Sequence, residues 1–231
     1  MQPELQPTST GYGTVAIPQE SQKVLRNTYM LLALTMVPTV AGAWIGIQLA
    51  PLMMASPFIT LIAMLVSVIG LQFAIVKFRD SAIGIGLLLL MTFLLGAFLG
   101  PLLNVALQLK NGMQLVGYAA AGTGAIFFGM GALAGTIKRD LAPMGKFLFV
   151  GMIAVLVAGI ANMFFQIPAL SLVLSTLVIV VFALYLLFDL NRIIRGGETN
   201  YVMATTGVYM SLFNIFANLL HLLLALAGEK D

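Results

Sequence analysis

Apolar residues run along this chain in long blocks separated by short polar gaps. The blocks cover roughly residues 28–49, 53–76, 81–107, 113–137, 146–166, 169–190 and 201–226. Each supplies about the 20 residues that a helix rising 1.5 Å per residue needs to cross a hydrocarbon layer of roughly 30 Å. The pattern predicts an all-α integral membrane protein with seven transmembrane helices, the tightest turn falling at Gln166-Ile167-Pro168. Residues 1–22 are polar and contain Pro3, Pro7, Pro18, Gly11 and Gly13. They carry too little apolar surface to offset the cost of ordering, which predicts a disordered tail, 1–22, ahead of a membrane domain, 23–231. Glu4 stands where a secretion signal has its basic opening, so a cleaved signal is not expected.

The charges orient the bundle. Lys23 and Arg26 precede the first block, Lys77 and Arg79 follow the second, Lys138, Arg139 and Lys146 follow the fourth, and Arg192 and Arg195 follow the sixth. Nine of the eleven basic residues thus fall on alternate connections, leaving Lys110 and Lys230 for the other side. Basic residues stay on the cytoplasmic side, which places the N-terminus in the cytoplasm and the C-terminus outside, in the periplasm. A six- or eight-helix count would scatter these charges over both sides.

Composition narrows the chemistry. Hydrophobic residues make up 61% and charged residues only 8%, against about a quarter charged in a soluble domain. Cysteine is absent and His221 is the one histidine, which removes disulfides, thiol nucleophiles and Cys/His metal sites. No cofactor is expected. The net charge of +3 belongs to membrane edges, so nucleic-acid binding is a poor reading. A retinal Schiff base needs a lysine inside the last helix, and every lysine here lies at a membrane edge. Intramembrane proteolysis needs a Ser–His pair, usually with Gly-x-Ser-Gly, two carboxylates or His-Glu-x-x-His; neither motif is present, His221 lies near the outer end of the last block, and only one acid falls within a span. The chain does not read as an enzyme.

One acidic residue falls within a predicted span. Asp189, near the cytoplasmic end of the sixth block, costs several kcal/mol to bury unpaired, about the desolvation of a lone carboxylate. Two readings stand: an ion pair with Arg192 three residues on, or a gating and pH-sensing role. The last block carries a polar stripe, Tyr209, Ser211, Asn214, Asn218 and His221, which predicts a helix surrounded by the others or lining a wet cavity. Hydrogen bonding between helices is the plainer reading of it. Between these blocks, Gly196 and Gly197 end one helix while Thr199 or Asn200 caps the next; Glu198 lies between them. Gly42-x-x-x-Gly46, Gly96-x-x-x-Gly100 and Gly131-x-x-x-Gly135 each place glycines one turn apart for close helix packing. The fourth block is rich enough in small residues to be expected at the centre.

Several segments resemble the Bax inhibitor-1 family of seven-helix membrane proteins. They are Lys23–Tyr29, Gly96–Asn104, Ala161–Pro168 and, most closely, Asp189-Leu-Asn-Arg-Ile-Ile-Arg-Gly-Gly-Glu-Thr-Asn-Tyr201 continued by Tyr209–Phe216. The likeness is to the bacterial branch that modulates the membrane-anchored ATP-dependent protease FtsH, and it spans residues 23–226. It implies a central seventh helix wrapped by six others in the bacterial inner membrane. It also implies a partner, an FtsH-type protease whose degradation of membrane proteins this chain limits. The tail would give the protease a loose end, and the tight bundle would resist extraction. The alternative it implies is a pH-sensitive calcium leak gated by two aspartates on the last two helices. Asp189, beside Arg192, matches the first; the second falls on Ser211, which does not ionise. An unrelated small transporter is a third reading.

Overall fold

The computed structural model describes residues 18–228. Its helices are α1 (Gln19–Ala55), α2 (Pro57–Phe78), α3 (Ala82–Phe98), α4 (Gly100–Gln108), α5 (Gly112–Thr136), α6 (Met144–Phe165), α7 (Pro168–Ile194) and α8 (Tyr201–Gly228). Helices α3 and α4 form one span, 82–108, and seven helices in all are long and apolar enough to cross a membrane. The break at Leu99 has a local cause. Pro101 lacks an N–H and its ring crowds the carbonyl four residues earlier, so the chain re-starts with Pro101 in the first turn of α4. Helix α1 begins earlier than the hydropathy suggests. Residues 19–22 of the expected tail are helical, and 1–17 lie outside the described residues.

Large apolar side chains cover the outer faces: Val37, Val40, Trp44, Phe73, Phe128, Phe147 and Phe164 are all exposed. In water such a surface would drive aggregation, whereas in a bilayer it is the lipid-facing wall. Inside, two of the three glycine pairs do what their spacing predicts. A Cβ on Gly42 would enter the Phe93 carbonyl, one on Gly46 the Ala97 carbonyl, one on Gly96 the Thr39 carbonyl and one on Gly100 the backbone of Gly46. Helices α1 and α3/α4 are therefore in backbone-to-backbone contact through glycines on both sides.

The third pair does not pack this way. A Cβ on Gly131 would meet only Leu190 Cδ1, at 3.9 Å, and one on Gly135 would meet nothing within 4 Å. Nor is the fourth span, α5, central. It packs on α4, α7 and α8, and Met113, Tyr118, Phe128 and Leu133 on its other face are exposed. Small residues permit close approach; a partner backbone must still arrive, and here α7 offers Gly131 only the Leu190 side chain.

Helix α8 touches α1, α2, α3, α4, α5 and α7. Helix α6 packs along α7 alone, meeting α2 at one end through the Phe58 and Phe164 rings, 5.3 Å apart. The start of α1 and the α2–α3, α5–α6 and α7–α8 connections gather at one end of the bundle. Asn200 bonds Arg79 and Asp80, Arg195 bonds Ile137, and Gly196 lies against Ser21. Those segments hold nine of the eleven Lys and Arg, so this is the basic end.

Candidate functional site

The α7–α8 turn sets the geometry. Gly197 N–H donates to the Arg192 carbonyl at 2.8 Å and Gly196 N–H to the Ile193 carbonyl at 3.1 Å, the two bonds of a Schellman closure. Gly196 takes the left-handed conformation this requires, with φ at 76°. The chain is thereby folded back over Arg192. Its Nε donates to the Gly197 carbonyl at 3.1 Å, and its Nη2 lies 3.3 Å from Glu198 Oε2.

Arg192 consequently pairs with Glu198, and the Asp189–Arg192 ion pair suggested by their spacing is absent. Among the described residues the Asp189 carboxylate makes no hydrogen bond and no ion pair, and the recorded ion pairs are Arg79–Asp80 and Arg192–Glu198. Arg192 and Glu198 still act on it through space, with opposite signs. The carboxylate packs against Gly207 of α8, where an added Cβ would sit 2.8 Å from Oδ2 and 3.1 Å from Cγ. Glycine at 207 makes room for it.

Asp189, Arg192, Glu198 and Ser211 line one cavity of about 320 Å³, together with Gln72 of α2, Met152 of α6 and apolar side chains of α7 and α8. Ser211 is buried and makes no hydrogen bond among the described residues. The structure thus brings together Asp189, Arg192, Ser211 and Glu198. Gln72, Met152 and Gly207 were missed: the first two lie on other helices and carry no local signal, while Gly207, a lone glycine in mid-helix, was legible as a place of close approach.

The rest of the polar stripe goes elsewhere. Tyr209 Oη lies 2.8 Å from Thr39 Oγ1 of α1 and 3.4 Å from the Thr92 carbonyl of α3, and the Thr39 hydroxyl reaches the Thr35 carbonyl. Asn214 Nδ2 donates to the Met210 carbonyl and Asn218 Nδ2 to the Asn214 carbonyl, both within α8. His221 meets Ser175 Oγ at 2.9 Å and Ser171 Oγ at 3.4 Å, both on α7. These groups are satisfied by their own or neighbouring helices, as membrane interiors require. No three His, Asp or Glu among the described residues are grouped to hold a metal ion.

Asn200 does two jobs. Its Oδ1 accepts from Val202 N–H and Met203 N–H, each at 3.0 Å, capping α8. Its Nδ2 donates to Asp80 Oδ1 at 2.7 Å and the Arg79 carbonyl at 3.1 Å, tying α8 to the α2–α3 turn. Glu198 Oε1 in turn accepts from Asn200 N–H at 3.0 Å. The Arg-Gly-Gly-Glu-Thr-Asn string is a self-bracing corner.

The fold and this corner define a seven-span, all-helical membrane protein. Residues 21–228 match the family model described as Inhibitor of apoptosis-promoting Bax1, and the chain belongs to this Bax inhibitor-1 family. Among its relatives, "Modulator of FtsH protease YccA" of Escherichia coli K12 is 39% identical over 203 residues, covering 88% of this chain and 90% of the relative. "Inner membrane protein YccA" of Escherichia coli O6:H1 has the same identity and coverage. An uncharacterized membrane protein of Vibrio cholerae is 36% identical over 204 residues, 88% of this chain and 90% of that one. The chain is an inner-membrane protein.

Proposed function

We propose that this chain modulates an FtsH-type ATP-dependent membrane protease, restraining its degradation of other membrane proteins. The observation that carries this is the 39% identity, over nine-tenths of both chains, to a protein named as such a modulator. The bundle lies with its basic end in the cytoplasm, following the distribution of Lys and Arg. Helix α8 is the central element, in contact with five of the six other spans, all but α6. The polar segment 1–17, with Pro3, Pro7, Gly11 and Gly13, is what the protease grips. The glycine-locked α1–α3/α4 pair then resists extraction, so the protease is held on a poor substrate. The modulator makes no bond and breaks none.

The test is reconstitution of protease, a membrane substrate and this protein in one set of liposomes. Slowed substrate loss with intact protein, and uninhibited loss when 1–17 are deleted, is the expected result. Inhibition that survives the deletion removes the grip mechanism; no inhibition by the intact protein removes the function.

The Asp189 cavity favours a second reading, a cation leak gated around Asp189 and Ser211, because its carboxylate has no partner. Calcium entry into dye-loaded liposomes, lost in Asp189→Asn, supports it. Flux no greater than in empty liposomes ends it.

A further inference from the structure

The cavity around Asp189 has an open side. Helices α2 and α6 both contribute to its wall, through Gln72 and Met152, yet their backbones do not pack on one another. They meet at the far end of the bundle through the Phe58 and Phe164 rings, and no backbone contact joins them at any level. Large apolar side chains flank the gap on both helices: Ile69 and Phe73 on one, Phe149 and Ile153 on the other, all exposed. A side opening framed by such residues faces lipid.

The lining has two characters. Met152, Met203, Met210 and Phe182 supply an adaptable apolar wall, since the thioether and its three rotatable bonds accommodate irregular shapes. Three charged groups then stand together: Arg192 and Glu198 are paired, which leaves the Asp189 carboxylate without a counter-charge. A carboxylate at membrane depth keeps its charge cheaply only beside a cation. Beside the water-facing side at Arg192 and Glu198, the gap between α2 and α6 offers a route through hydrocarbon, and a cation taking it carries apolar material with it. Gln72, at the mouth, offers an amide that an ammonium can pass or bond.

We propose that the Asp189 cavity binds a hydrophobic amine, one cationic nitrogen on an apolar tail, entering from the bilayer between α2 and α6. The nitrogen sits against Asp189 and the tail leaves past Met152. This stands apart from the protease reading and needs no partner protein.

Radiolabelled dodecylamine is the probe, with the full chain in nanodiscs of zwitterionic lipid and empty nanodiscs as the partition control. Saturable binding near one per protein is expected, with at least about a tenfold loss of affinity in Asp189→Asn, the equivalent of one modest ion pair. Dodecanol, of equal tail and no charge, should not compete. Met152→Trp, which obstructs the opening and leaves Asp189 untouched, should weaken binding at least about fivefold, and decides the matter if Asp189→Asn does not fold. Binding no greater than to empty discs overturns the proposal. So does equal binding by wild type and Asp189→Asn, competition by dodecanol, or indifference to Met152→Trp. Calcium that displaces the amine one for one, and binds alone in an Asp189-dependent way, assigns the site to a metal ion and also overturns it.

Discussion

The α1–α3/α4 interface and the α2–α6 gap are opposite solutions to packing two helices in a membrane. In the first, Gly42, Gly46, Gly96 and Gly100 bring backbones together so closely that no side chain fits between them. In the second, helices carrying Phe73 and Phe149 stand apart, and a cavity with a carboxylate opens between them. No hydrophobic force distinguishes the two in lipid, since tails are as apolar as the side chains they replace. Contact area and the fate of polar groups decide. The glycine interface is built to stay shut, and the cavity is built where the polar groups are incompletely paired.

Gly46→Leu should break this comparison most. Its Cβ enters the Ala97 backbone, so α1 must leave α3, and loss of folded monomer on size exclusion, or destabilisation of about 3 kcal/mol or more, is expected. Gly207→Ala strikes the other region, placing Cβ 2.8 Å from the movable end of Asp189. A cost of about 1 kcal/mol in thermal unfolding, with the cavity's ligand or ion response altered far more, is expected. Asn200→Ala removes a cap and the tie to the α2–α3 turn, for about 1–2 kcal/mol by the same assay. Glu198→Gln should cost under about 1 kcal/mol, because the Arg192 side chain it pairs with is nearly half exposed. Gly135→Ala, in open space, should be neutral or stabilise by about 0.5 kcal/mol. If Gly135→Ala costs as much as Gly46→Leu, glycine spacing rather than a seated partner governs this fold, and the contrast fails.

The spans were legible because hydrocarbon demands some 20 apolar residues each time, whatever the tertiary packing. The glycine pairs were legible only as permission. Spacing could not say that Gly96 had Thr39 opposite it while Gly135 had nothing. Arg192 shows the same gap at the site. Its position three residues from Asp189 suggested a pair on one helix face, but the Schellman closure at Gly196 brings Glu198 back over it. Asp189 and Ser211 were matched to each other only by family likeness, and that they share a cavity was not legible, since twenty-two positions and a turn separate them. Gln72 and Met152 gave no sign, because lining a cavity from across a gap leaves no periodicity behind.

Asn200 bears on how the molecule is built. Translation delivers α1 to α4 first, and these already contain the four glycines of the seam. Arg79 and Asp80 are therefore already synthesised when the last helix is made, and Asn200 bonds both. One side chain thereby ties the start of the last helix to a turn 120 residues earlier in the chain.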